Sequence, residues 1–380
     1  MLKSEYKPIL KFVAVLILSA LVLPGCANQF SPDGWAGPAL SDNTLYVISQ
    51  KTGEFLAIDL DNPNALPVKL TPEIDNESSG FGCQSSSSGL VGYGAPVIHE
   101  GIAYVADYDG EIFAIDIEDG TEAWRTPVET DGSIIGNPVI FEDQLIVASG
   151  KKLYSINLAD GEFGWSSPFK ADGEIWSNPV VSDGKVYFGT LKHKLYAVDA
   201  VSGQLFWEKG FSGSVASTPL IVGGTIYIGT FESKFYALDA QTGAEKWDEP
   251  FEASDWFWTT AAYKDRVVYV GSLDHNVYAI DAVTGKAKWS QPFETEGPIR
   301  SAAVIVGDVL LVAAKTGNGP VYGINIETGH AWQLDLGRIY ADPLVDGTTV
   351  YYLNRSDELY AVDVETGNAV APISIDVDFD

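Results

Sequence analysis

The chain has 380 residues, with 52 acidic against 23 basic side chains and a formal charge of −29. That excess argues against nucleic acid and anionic membrane surfaces as partners. Two Cys, one Met and four scattered His exclude a Cys-rich metal site, and no cofactor or metal is expected.

The N-terminus comes first. Lys3, Lys7 and Lys11 precede an apolar run from Phe12 to Leu23, followed by "LPGC". The run is too short for a stable membrane-spanning helix and reads as a secretory signal. The Cys after Gly25 resembles a bacterial lipobox, which implies that Cys26 is diacylated and starts the mature chain; an ordinary signal with a chance Cys is the alternative. Two acyl chains anchor stably where one does not. The expectation is a signal at 1–25, a tether at 26–34 and one domain at 35–380. The protein would sit outside the cytoplasm, lipid-anchored to a bacterial membrane, on the outer membrane or in the periplasm if the cell has two membranes.

Residues 195–207 read "LYAVDAVSGQLFW", and the phrase recurs along the chain. Its Asp or Asn anchors are Asp59, Asp116, Asn157, Asp199, Asp239, Asp281, Asn325 and Asp363. The unit is about 42 residues, and its four alternating segments, separated by turn signals, predict antiparallel strands. Four strands per 40–45 residues predict a propeller blade. The fold expected is all-β: an eight-bladed β-propeller of four-stranded antiparallel blades, with seven blades as the alternative. The spacing between the first two copies is longer, and the excess near 71–92 is rich in Ser, Gly and acids, which predicts a surface excursion. Cys83 lies in it and is taken as a bystander rather than a reactive thiol.

Gly203 and its equivalents suit left-handed turns. Trp124, Trp165, Trp207, Trp247, Trp289 and Trp332 end the phrase and are expected to pack at blade edges as core.

The phrase "YAVDAVSGQLFW" resembles the tryptophan-docking motif of the PQQ-like β-propellers, over essentially residues 35–380. With eight repeats and a lipobox, the chain looks most like the BamB-type outer-membrane assembly lipoproteins, although it is more acidic. That resemblance implies a protein-binding scaffold. The quinone dehydrogenases of the same fold are longer, carry adjacent cysteines and bind calcium through Glu, Asn and Asp. This chain has no adjacent cysteines, and most of its Asp residues fall in turns, where Asp serves the backbone. No Ser-His-Asp set, phosphate loop or calcium loop is present. A PQQ-dependent enzyme is therefore not expected, and no catalytic residue is assigned.

Aligning the first strands on a repeated Pro or Ala brings Trp35, Tyr93, Trp176, Trp258, Arg300 and Tyr340 to one position, with Ile135 and Ala216 in the other two repeats. Small residues follow at the next position. Because side chains alternate along a strand, the first column should face the mouth of the central channel. The loops between second and third strands should lie on that face with Lys151, Lys152, Lys192, His193, Lys194, Lys234, His275, Lys315 and Arg355. Acidic turns such as Asp42, Glu142, Asp183, Asp265 and Asp346 should lie opposite. The mouth is expected to be aromatic, relatively basic, partly exposed and suited to a protein segment. Two alternatives stay open: a plug that binds nothing, and a receptor for a glycan, quinone or other small molecule.

Overall fold

The structure, a computed structural model, describes residues 36–63, 65–71 and 89–375. Cys26, Trp35, Cys83 and most of the 71–92 excursion lie outside the described residues. Eight separate antiparallel sheets follow one another along the chain. Their spans are 39–69, 97–129, 139–170, 180–210, 220–252, 262–294, 304–335 and 344–374. This decides for eight blades over seven. Strand order follows chain order in seven sheets; in the eighth a fifth short strand, Ile373–Ser374, pairs with the third. Every blade is still one continuous stretch.

The core lies between blades. Tyr187, Leu195 and Ala197 of blade four pack on Ile226, Ile228 and Leu238 of blade five. The same packing closes the ring, where Leu45, Val47 and Leu56 of blade one meet Tyr351, Leu353 and Leu359 of blade eight. A buried carboxylate reinforces that seam. Asp357 accepts hydrogen bonds from Ser49 Oγ at 2.7 Å, Gln50 N at 2.9 Å and Lys51 N at 3.1 Å.

The repeated Trp and Gly turn out to be partners. Trp165 Nε1 donates to Ala200 O at 3.1 Å, and Trp247 Nε1 to Ala282 O at 3.0 Å, each in the next blade. The turn glycine of that next blade lies flat on the indole. A Cβ on Gly203 would stand 2.7 Å from the Trp165 ring, and its φ of +70° already favours glycine. Trp124, Trp165 and Trp247 are buried. Trp207, Trp289 and Trp332, expected in the core, are only half-buried, because they stand at the rim of the ring with solvent on one side. The fourth strands are also shorter than the repeat suggested. In blades two and three a lone bridge and a two-residue strand flank the Trp, which occupies the break.

Candidate binding site at the channel mouth

Each first strand is entered by an extended segment whose side chains alternate between two environments. Ile134, Ile175, Val215, Phe257, Ile299 and Ile339 form the first column and point into the packing between blades. Backbone bridges tie it to the second strand, as Ile175 to Thr190 and Ile299 to Ala314. These ties bring the loops after the second strands to the mouth, as expected.

The next column is the mouth itself. Tyr93, Ile135, Trp176, Ala216, Trp258, Arg300 and Tyr340 line one cavity of about 440 Å³; Trp35 falls outside the described residues. The following column is small because strands crowd there. A Cβ on Gly94 would lie 2.6 Å from Gly136 O. Ser177 and Ser217 are fully buried and bond Gly189 and Gly229 of their own blades.

A fourth column returns to the channel, and sequence reasoning missed it. Asn137 Oδ1 accepts from Ala95 N at 2.9 Å, and Asn178 Oδ1 from Asn137 N at 2.8 Å. Thr218 Oγ1 accepts from Asn178 N at 3.2 Å, and Asp342 Oδ1 from Ala302 N at 2.7 Å. Each polar side chain thus caps a backbone N–H of the preceding blade. The signal was in the sequence: these residues stand immediately before the repeated Pro. Asp342 is exposed to the channel lumen. The protein atoms crowded around it push its carboxyl above the usual carboxylate range, and the Ala302 N–H draws it partly back.

The rings are not equally exposed. Trp176 is 37% exposed and Trp258 half-buried. Tyr93 corrects the expectation of a partly open ring: it is 8% exposed, its ring 5.0 Å from that of Tyr108. Burial, with Tyr108 beside it, pushes its phenol up to about 12.

Residues 255–260, "DWFWTT", divide three ways. Phe257 is core, Trp258 is mouth, and Trp256 stands 42% exposed on the rim. Two strand steps separate Trp256 from Trp258, roughly 6.6 Å, which leaves a slot one ring thick. Phe231, from the second-to-third-strand loop of blade five, fills it. Its ring lies 4.4 Å from Trp256 at 7°, and 5.0 Å from Trp258 at 24°. Arg300 covers the other side of Trp258 at 5.0 Å, and Trp176 meets Trp258 edge-on at 6.3 Å. Phe231 and Trp256 were not among the predicted site residues.

The relatively basic face expected from the loops is partly neutralised by ion pairing. Lys151 pairs with Glu174 at 3.9 Å, Lys194 with Asp172 at 3.1 Å and Glu208 at 2.9 Å, and Lys234 with Glu252 at 3.8 Å. Lys152 pairs with Asp131. Lys192, His193 and His275 are exposed turn residues; both His adopt left-handed backbone, with φ of 66° and 71°. Positive charge is instead concentrated in one sector. Lys315 Nζ lies 4.9 Å from the Tyr340 ring centroid and Arg355 Cζ 5.9 Å from it. Burial holds the Lys315 ammonium below the usual lysine range, and Arg300 and Arg338 add repulsion. Among the described residues, Arg300, Lys315 and Arg338 make no ion pair with a carboxylate. The opposite face carries the acidic turns as expected; Asp42, Glu142, Asp183 and Asp265 occupy its left-handed positions.

A family profile described as "Outer membrane protein assembly factor BamB" matches residues 68–172 and 151–371. The structure of BamB from Moraxella catarrhalis superposes with a TM-score of 0.66 at 17% identity, covering 84% of this chain and 93% of that one. The computationally designed Ika8 protein gives a TM-score of 0.66 at 14% identity, covering 90% and 96%. A europium-containing methanol dehydrogenase gives 0.62 at 16% identity, covering 86% and 81%. At these identities the likeness is one of fold. The lanthanide-dependent methanol dehydrogenase of Methylacidiphilum fumariolicum (strain SolV) is 26% identical over 121 residues, 29% of this chain, and the chain spans only 18% of that relative's length. Among the described residues, no group of three or more His, Cys, Asp or Glu is placed to hold a metal ion.

Proposed function

The chain belongs to the BamB family of outer-membrane protein assembly factors, and from that premise we propose a non-enzymatic propeller that binds an extended segment of a partner protein at its channel mouth. It works outside the cytoplasm, held to the membrane by lipid on Cys26, in the assembly of outer-membrane proteins. One observation carries the choice of surface. Trp176, Trp258 and Tyr340 open onto a cavity of about 440 Å³ instead of filling it. Trp176 and Trp258 meet edge-on at 6.3 Å, yet the cavity they line with Tyr340 stays open. Large rigid rings with an adjacent Arg are the side chains that dominate protein interfaces.

The test is a photoreactive residue in place of Trp256, on the rim. In cells it should cross-link to a component of the outer-membrane assembly machine. Cross-links to none, with the protein folded and present, overturn the assignment. The anchor is checked separately: Cys26→Ser should leave the protein soluble or uncleaved and unlabelled by lipid precursors.

The cavity volume also favours a second reading, since about 300–1,000 Å³ is the range of small-molecule sites. A sugar or quinone at 100 times its dissociation constant would stabilise the fold by about 2.7 kcal/mol. A thermal-shift screen with no response across both classes removes this reading.

A further inference from the structure

Four cations, Arg300, Lys315, Arg338 and Arg355, gather at the entrances and loops of blades seven and eight. Clustering like charges is unfavourable, and in this chain it is also unnecessary. Acidic side chains outnumber basic ones more than two to one, and Lys151, Lys152, Lys194 and Lys234 of blades three to five on the same face have found carboxylates. Among the described residues Arg300, Lys315 and Arg338 have not. Three cations held together without a carboxylate in so acidic a molecule are arranged for charge that arrives from outside.

Arg300 gives a second, independent indication. Its Nε is buried and makes no hydrogen bond. A buried donor without an acceptor is costly and rare in folded proteins. The guanidinium is held over the Trp258 ring at 5.0 Å, and Arg300 lines the mouth cavity. The planar fork matches a carboxylate bidentately. Lys315 stands over Tyr340, its protonated form weakened by burial and by Arg300 and Arg338, and an arriving anion would relieve both.

The aromatic stack fixes what else the ligand carries. From Arg300 the planes of Trp258, Phe231 and Trp256 run outward from cavity to exposed rim. A small anion would use the corner and ignore the stack. A short extended peptide uses both.

We infer that Arg300, Lys315 and Arg338 form a carboxylate-binding corner of the mouth, and that the segment entering there is acidic with an aromatic or large apolar side chain beside its carboxylates. This rests on the scaffold role proposed above and adds the chemistry of the partner. The overall negative charge of the protein does not forbid it, because charges more than about 10 Å away are largely screened at 0.1 M salt.

The experiment titrates the full-length protein in mild detergent with two end-blocked peptides, Asp-Glu-Phe-Asp-Glu and Asn-Gln-Phe-Asn-Gln, following tryptophan fluorescence and calorimetry. The acidic peptide should bind at least tenfold more tightly. The double substitution Arg300→Gln and Lys315→Gln should abolish that preference, bringing the acidic peptide's affinity down to that of the neutral one, with an unaltered melting curve showing that the fold persists. Equal binding of the two peptides, no binding of either at millimolar concentration, or an acidic preference that survives the double substitution each overturns the proposal. Inorganic phosphate or acetate competing as strongly as the acidic peptide would mark a small-anion site and likewise overturn it. If the peptides bind alike while the position-256 cross-linker still captures an assembly component, the carboxylate corner fails and the scaffold role stands.

Discussion

The guanidinium of Arg300 lies over the indole of Trp258, 5.0 Å from its centroid, although the two side chains enter from different blades. The contact joins the cationic sector of the mouth to the aromatic one. It makes Trp258 a supported surface residue rather than a core residue.

Trp258→Ala should therefore cost about 1–2 kcal/mol of stability, the worth of its ring and cation contacts. Trp247→Ala should cost roughly 3–5 kcal/mol, because that indole is buried and its Nε1 bonds Ala282 O. Binding should respond in the opposite order. Urea denaturation of both variants beside a partner titration checks this; equal destabilisation with affinity intact would make the mouth a plug.

Lys315 should titrate below an ordinary lysine, and Arg300→Gln should raise its pKa by removing like-charge repulsion. Because the fold disfavours the protonated amine, Lys315 weakens stability while charged. That penalty is relieved as pH rises through its folded value toward the unfolded value near 10.4. NMR titration of the lysine side chains in both proteins reads the shift, and an unchanged Lys315 pKa in the variant contradicts the placement of the two charges.

Asp342→Asn should stabilise the protein at neutral pH. The amide keeps an acceptor for Ala302 N–H, as Asn137 and Asn178 do at the same place in their blades, and removes a carboxylate that the surrounding protein atoms make harder to ionise. In the parent protein that penalty is present at neutral pH and fades as pH falls through the raised folded pKa toward the unfolded value near 3.9. Melting temperatures from pH 7 down to 4 should show the gain of the variant over the parent shrinking with acid. A gain that is constant, or a loss, refutes this account.

Asp357→Ala should cost roughly 3 kcal/mol, since it strands Ser49 Oγ and the N–H groups of Gln50 and Lys51 at the seam. Chemical denaturation measures it. A change within 0.5 kcal/mol, the scatter of ordinary surface substitutions, would show that the seam does not depend on this carboxylate.

Much of this was legible in the repeat. A unit of about 42 residues gave the blade number, and period-2 alternation placed Trp176, Trp258, Arg300 and Tyr340 around one cavity. What was not legible comes from contacts between repeats. Phe231 belongs to a different blade from the two indoles it separates, so no local pattern marks it. Glu174 and Asp172 likewise neutralise Lys151 and Lys194 from the segment entering blade four, at a distance of some twenty residues that no local pattern marks. Counting loop lysines gave a basic face; only the fold shows which of them are already matched. Trp207, Trp289 and Trp332 share the phrase of Trp165, but a phrase does not record how much solvent reaches each rim position.

The seam between blades one and eight has one more consequence. Among the described residues no strand is exchanged across it: blade one lies within 39–69 and blade eight within 344–374. Side-chain packing and Asp357 do there what a linking peptide does at the other seven junctions. The ring therefore has no privileged starting blade, and a circular permutant joined across this seam and opened between two other blades should fold to the same ring with the same mouth.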